Sequence, residues 1–179
     1  MFYTQANFAQ VLQTFWDKTL VEYRRGSRSP EEFFNEEELL YMTHVGVTPY
    51  DVYDHVEDFL TYQEPDFFTF LLVMAVRREY FLYVQEGQVK MDWVLDTDLP
   101  LKTDSYENIA WLPRITAKAY AKVQGELHPT LMYGCSGDRQ FLKRYKLHTA
   151  DFLSVVGRLD GNLAKVHKWL LSLDGHPCF

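Results

Sequence analysis

The 179-residue chain is short of the features that announce most chemistries. Its two cysteines, Cys135 and Cys178, are too few for a disulfide framework and fit a reducing cytoplasm. Its longest nearly apolar run, from Phe67 to Val76 and broken only by Thr69, is about half of what a membrane span needs, so no membrane partner is expected. Met1 to Gln13 contain no Lys or Arg and are interrupted by Gln5, Asn7, Gln10 and Gln13, so no secretory signal is expected. The chain has no Gly-rich phosphate loop, no dinucleotide fingerprint, no Gly-x-Ser-x-Gly elbow, no His-Glu-x-x-His, no Glu-x-x-His pair and no EF-hand loop. No cofactor is therefore implied.

Positive charge is scarce in one half. Residues 1–101 hold 7 Lys+Arg against 18 Asp+Glu, whereas residues 102–179 hold 11 against 7. An acidic half joined to a basic half suggests that the two face each other, and the acidic half argues against nucleic acid as a partner. What is abundant is core material: 47% of residues are apolar and 16% aromatic, enough for a chain of this length to fold without staples.

The apolar residues recur mostly at helical spacing. Phe8, Val11, Leu12, Phe15, Thr19 and Tyr23 mark a first helix that Gly26 ends. Ser29-Pro30-Glu31-Glu32 reads as the start of a second helix, with Ser29 capping and Glu32 closing a box, ending at Gly46. Thr48-Pro49-Tyr50-Asp51 starts a third helix that runs to about Tyr62, and Glu64-Pro65-Asp66 opens a fourth over residues 66–85. Val89, Met91, Trp93 and Leu95 alternate with mostly polar residues, which points to an extended or β segment near 88–95, and Asp96 to Ser105 reads as a linker. Helices resume with Leu112, Ile115, Ala119 and Val123. Ser136 is expected to cap a short helix, Thr149 another, and Asn162 a last one carrying Val166, Trp169 and Leu170. The expectation is an all-α bundle of seven to eight helices in two packed halves, 1–101 and 102–179, unless both form one compact domain. A faint repeat at an offset of 100 links Tyr41, Met42, Val52 and Val56 to Phe141, Leu142, Phe152 and Val156, a match that generic helical patterning also produces.

Trp111-Leu112-Pro113-Arg114, Lys118, Tyr133-Gly134, Asp138-Arg139 with Leu142, Leu147 and Phe152 form a spaced pattern. Over roughly 105–172 it resembles a bacterial domain-of-unknown-function family, number 5069. The resemblance implies a small helical bacterial protein and carries no activity, ligand or cofactor with it. That family often has Pro after the Cys that follows Tyr-Gly, where this chain has Cys135-Ser136.

Three constellations could carry chemistry. Arg114, Lys118 and Lys122 fall at i, i+4, i+8 on one helix face, where like charges repel and call for compensation. A small anion, held also by Arg139 and the helix start at Ser136, would supply it; so would the acidic first half of the same chain or plain solvent. Cys135, between Gly134 and Ser136-Gly137 and just before a helix, is a candidate nucleophile, with His128 and His148 the nearest bases in sequence; a small structural thiol is the competing reading. Asp51, Asp54, His55 and Asp58 share one helix face, and Asp51, His55 and Asp58 are weak metal candidates against a solvated acidic face. Arg77-Arg78 is expected to reach a carboxylate such as Asp51, Asp54 or Glu57. Trp16, Phe33, Phe34 and Tyr62 exceed what small helices need to cover, which raises a homodimer that buries them. The reading is a cytoplasmic protein-interaction or small-anion-binding module; the alternative is an enzyme acting on an acidic small molecule through Cys135 or a carboxylate and His site.

Overall fold

In a computed structural model, which describes residues 5–90 and 92–173, eight α-helices carry the chain. They fall into two compact units, Met1–Val89 and Lys90–Phe179. The first contains α1 (Phe8–Arg24), α2 (Glu36–Val45), α3 (Pro49–Tyr62) and α4 (Phe67–Tyr83). The second contains β1 (Ser105–Tyr106), β2 (Ile109–Ala110), α5 (Leu112–Gln124), α6 (Ser136–Arg144), α7 (Thr149–Arg158) and α8 (Leu163–Ser172). The all-α class is as the periodicity predicts. The boundary lies before the charge switch at 101, because 92–101 is held by the second unit. Val94 bonds Glu126 O at 2.7 Å and accepts from His128 N at 3.1 Å, and Arg114 donates to Pro100 O at 2.8 Å.

Most helix starts follow the capping chemistry. Thr48 and Asp51 close a capping box on α3, Asp66 caps α4 and Asn162 caps α8. Ser29 does not start a long helix. Pro30–Phe33 make one 3₁₀ turn, Phe34 is extended, and α2 begins at Glu36 under a box of Asn35 and Glu38. The break lets two adjacent rings, Phe33 and Phe34, both turn inward, which a continuous helix would oppose. The caps of α6 and α7 are Cys135 and His148, one residue before those expected. Residues 88–90 and 92–95 form no strand and make a single bridge, Val94 to Leu127. The paired strands lie instead at 105–110, where Glu107 and Asn108 both take positive φ and turn a two-residue hairpin. His176 and Cys178 lie outside the described residues.

The aromatics are consumed by the cores. Trp16 is buried against Phe59, Phe67 and Phe70, and Phe15 packs edge-on to Phe34 and Tyr41. Of the four residues expected to be in excess, only Tyr62 is exposed. In the second unit Phe141 and Trp169 flank Phe152.

The units repeat one plan. α2 and α6 begin at 36 and 136, and α3 and α7 at 49 and 149, an offset of 100 residues. In each, the first helix packs on the third and fourth: α1 on α3 and α4, α5 on α7 and α8.

Gly46 shows how tightly the first unit is closed. It ends α2 at φ +68°, and a Cβ there would stand 2.7 Å from Cγ of the buried Phe81 ring. Gly26, at φ +93°, has open space around it. Gly26→Ala should cost about 1 kcal/mol from backbone strain, and Gly46→Ala about 1–3 kcal/mol more from overpacking. Urea midpoints of the two variants check this; equal shifts would contradict it.

Candidate functional site

The cation row on α5 turns inward. Arg114, Lys118 and Lys122 are 6%, 4% and 8% exposed. Buried cations demand partners, and the second unit supplies them. Arg114 pairs with the Asp96 carboxylate as well as Pro100 O. Lys118 Nζ lies 2.6 Å from Asp138 Oδ2, and both side chains are almost fully buried.

Asp138 is the centre of the network. Its carboxylate is fully buried and accepts from Lys118, from Trp111 Nε1 at 3.0 Å, from the Gly134 N–H at 3.0 Å and from the Cys135 thiol at 3.4 Å. That many donors can offset the desolvation of a carboxylate that a lone ammonium could not. The backbone is shaped around it. Trp111 adopts φ +72° at the start of α5, and its ring lies so close to α6 that a Cβ on Gly137 would meet it at 2.6 Å. Gly134, at φ +85°, lets the loop turn so that its N–H meets the carboxylate.

The other candidates sit around this centre. Arg139 is buried and donates to Gly134 O at 2.6 Å. Ser136 is exposed and accepts from Gln140 at 3.4 Å. Cys135 is half-buried at the start of α6, with Lys118 Nζ 3.3 Å from its sulfur. Neither imidazole near it in sequence is among its bonded partners: His128 bonds Thr130, and His148 accepts from the Ala150 N–H. Lys118, Cys135, Asp138 and the backbone of Gly134 are thus one hydrogen-bonded set, with Arg114 and Lys122 one turn to either side. The charge that answers Arg114 and Lys118 comes from within the unit.

On α3 the acidic face divides. Asp51 closes the capping box, and His55 turns into the core with Nδ1 2.8 Å from Asp51 O and its ring 5.1 Å from that of Phe70. Among the described residues no three His, Cys, Asp or Glu side chains gather closely enough to hold a metal ion. Arg77 donates to Gln85 at 2.7 Å and lies over Phe81, while Arg78 lies over Phe8. Glu57 accepts from Tyr23 and Tyr53, both at 3.2 Å.

Two surfaces escaped the sequence reading. One is the outward face of α4, where Phe68 and Tyr83 are 71% and 80% exposed. The other is a groove between α7 and α8 bearing Arg158, Lys165, Lys168 and Trp169. Lys165 and Lys168, four and one residues before Trp169, were the available signal. No helix among the described residues is long and apolar enough to cross a membrane. No protein-family model, no curated protein and no solved structure matches the chain.

Lys118→Met should leave Asp138 buried without its counter-ion and cost about 3–5 kcal/mol, whereas breaking the exposed pair of Arg25 and Glu22 should cost less than about 1 kcal/mol. Chemical denaturation of Lys118→Met and Arg25→Met compares them; similar losses would show that Asp138 does not need its lysine.

Tyrosines give the fold an alkaline limit. Burial first, then the Asp138 and Asp151 carboxylates, hold the Tyr133 phenol well above its ordinary range, and the phenol donates to Thr149 O at 2.8 Å. Burial first, then the Glu57 charge and hydrogen bond, push Tyr53 up to about 12. A phenol titrates near 10 when unfolded, so these raised groups contribute stability that is complete below about pH 10 and lost as pH rises toward their folded values. Stability should fall from about pH 10 to 12, less steeply in Tyr53→Phe and Tyr133→Phe. An unchanged slope in both variants would contradict the assignment.

Proposed function

We propose that the chain is a non-enzymatic interaction module whose first unit docks a basic amphipathic helix of a partner protein on α4. The observation that carries this is a helix apolar on two opposite faces and covered on one. Phe70, Val73, Met74, Arg77 and Phe81 are buried. On the opposite arc stand Phe68, Leu72, Ala75, Val76, Glu79 and Tyr83, and Leu72 is half exposed. Exposed Tyr62 and Val84 flank the helix at its two ends. Helices apolar all round are ordinarily buried all round, and an open apolar stripe marks a binding face.

Charge selects the partner. Glu79 is the one charge in the stripe, and residues 1–89 hold 6 Lys+Arg against 15 Asp+Glu. Apolar anchors flanked by Lys and Arg complement that field, whereas a second copy of the chain would bring like charge to like. We place the module in the bacterial cytoplasm, on its cysteine usage and on its likeness to the family numbered 5069. Trp111, Arg114, Lys118, Gly134, Asp138 and Arg139, the residues of that pattern, engage in buried bonds within the unit, so their part in this reading is structural.

A fluorescent synthetic helix with Leu on one face and Lys on the other is the probe. Anisotropy at about 0.15 M salt should give a dissociation constant on the order of 10 μM. Phe68→Ser with Tyr83→Ser should weaken it at least about tenfold with helicity kept, while Glu36→Gln with Glu37→Gln, exposed on α2, should leave it within about twofold. Equal binding by the serine variant sinks the proposal. Light scattering that shows a dimer which Phe68→Ser dissociates would give the face to a second copy instead.

A further inference from the structure

The groove between α7 and α8 has a volume of about 440 Å³ and is lined by Val155, Leu159, Trp169, Arg158, Lys165 and Lys168. Its size falls in the range of small-molecule sites. The lining is almost wholly apolar: Val155, Leu159 and the Trp169 ring form the floor, and the stems of Arg158, Lys165 and Lys168 complete the wall. Trp169 packs against the buried Phe152 ring at 6.2 Å between centroids, so the floor is fixed in place before anything binds.

Three cations elsewhere in the unit are paired with carboxylates. Lys90 pairs with Glu126, Arg114 with Asp96 and Lys118 with Asp138. Among the described residues no carboxylate lies within ion-pair distance of Arg158, Lys165 or Lys168. Scattered surface lysines are ordinarily left to solvent. The stems of these three line one apolar concavity from two helices, in the half of the chain with a balance of +4. Long cationic side chains lay their stems along apolar surface and hold their charge at its edge, which is the arrangement a headgroup needs. An anion alone would find the cations and leave the floor wet. An uncharged apolar molecule would cover the floor and leave the cations unanswered.

We propose that this groove binds a small amphipathic organic anion: a carboxylate, sulfonate or phosphate carrying an aliphatic or aromatic tail. The tail covers Val155, Leu159 and Trp169. The headgroup meets Lys165, Lys168 and Arg158, and the positive half of the chain draws it in. The site lies in the second unit and does not depend on the α4 reading.

Calorimetric titration of the full chain with octanoate tests it, with acetate supplying the charge alone and 1-octanol the tail alone. Octanoate should bind at least about tenfold more tightly than either. Lys165→Gln with Lys168→Gln should weaken octanoate at least about tenfold and leave 1-octanol unchanged. Arg144→Gln with Lys146→Gln, exposed cations outside the groove, should leave octanoate unchanged. Backbone amide shifts on α7 and α8 during the titration should place the ligand. No binding at about 5 mM octanoate overturns the proposal. So does equal affinity for octanoate and 1-octanol, or an equal loss from the two pairs of variants.

Discussion

A lysine on the first helix of each unit, bonded to a carboxylate at the third position of the second, is the contact on which the rest is arranged. Lys18 meets Glu38 at 2.5 Å and Lys118 meets Asp138 at 2.6 Å, an offset of 100 residues in both partners. In each case the same carboxylate also accepts a backbone N–H just before its helix, from Asn35 or from Gly134. The helix N-terminus favours that negative charge, and the lysine holds it against the neighbouring helix. The angle at which α2 leaves α1, and α6 leaves α5, is thereby set by an ion pair and a cap acting through one side chain. The pairs differ in depth. Lys18 keeps a third of its side chain in solvent, whereas Lys118 keeps almost none, and Asp138 also accepts from Trp111 and Cys135.

What could be read from sequence was local. Thr48 with Asp51 and Asn162 with Lys165 lie within one turn of each other, so their caps were legible, as were the apolar stripes of α1, α5 and α8. Asn35 with Glu38 has the same form, but Ser29-Pro30 is the stronger start signal in the sequence. The hairpin at 105–110 was hidden because Glu107-Asn108 lacks the glycine that advertises such turns. The row at 114, 118 and 122 was recognised as needing compensation. Its partners lie 18 and 20 residues away at Asp96 and Asp138, and only the packing of α5 reveals that they reach it. The apolar character of α4 was plain as well; which of its faces stays uncovered depends on where α1 and α2 lie.

The two surfaces left open are opposite in kind. One is an apolar stripe in an acidic unit, and the other is a cationic rim around an apolar floor. Neither uses the buried network at Asp138, whose hydrogen bonds are spent on holding α5, α6 and the 133–135 loop together. Rigid, internally satisfied scaffolding and exposed, unsatisfied surface are thus separated within each unit.

Because the plan appears twice, the molecule carries its own reference state. Position 35 holds an amide that accepts from the Glu38 N–H, whereas position 135 holds a thiol that makes no such cap bond. A missing cap is worth about 1 kcal/mol. The first turn of α6 therefore relies on the buried carboxylate of Asp138 where that of α2 has a side-chain cap as well. Losing that one carboxylate would release the Gly134 N–H, the sulfur of Cys135 and the buried ammonium of Lys118 together.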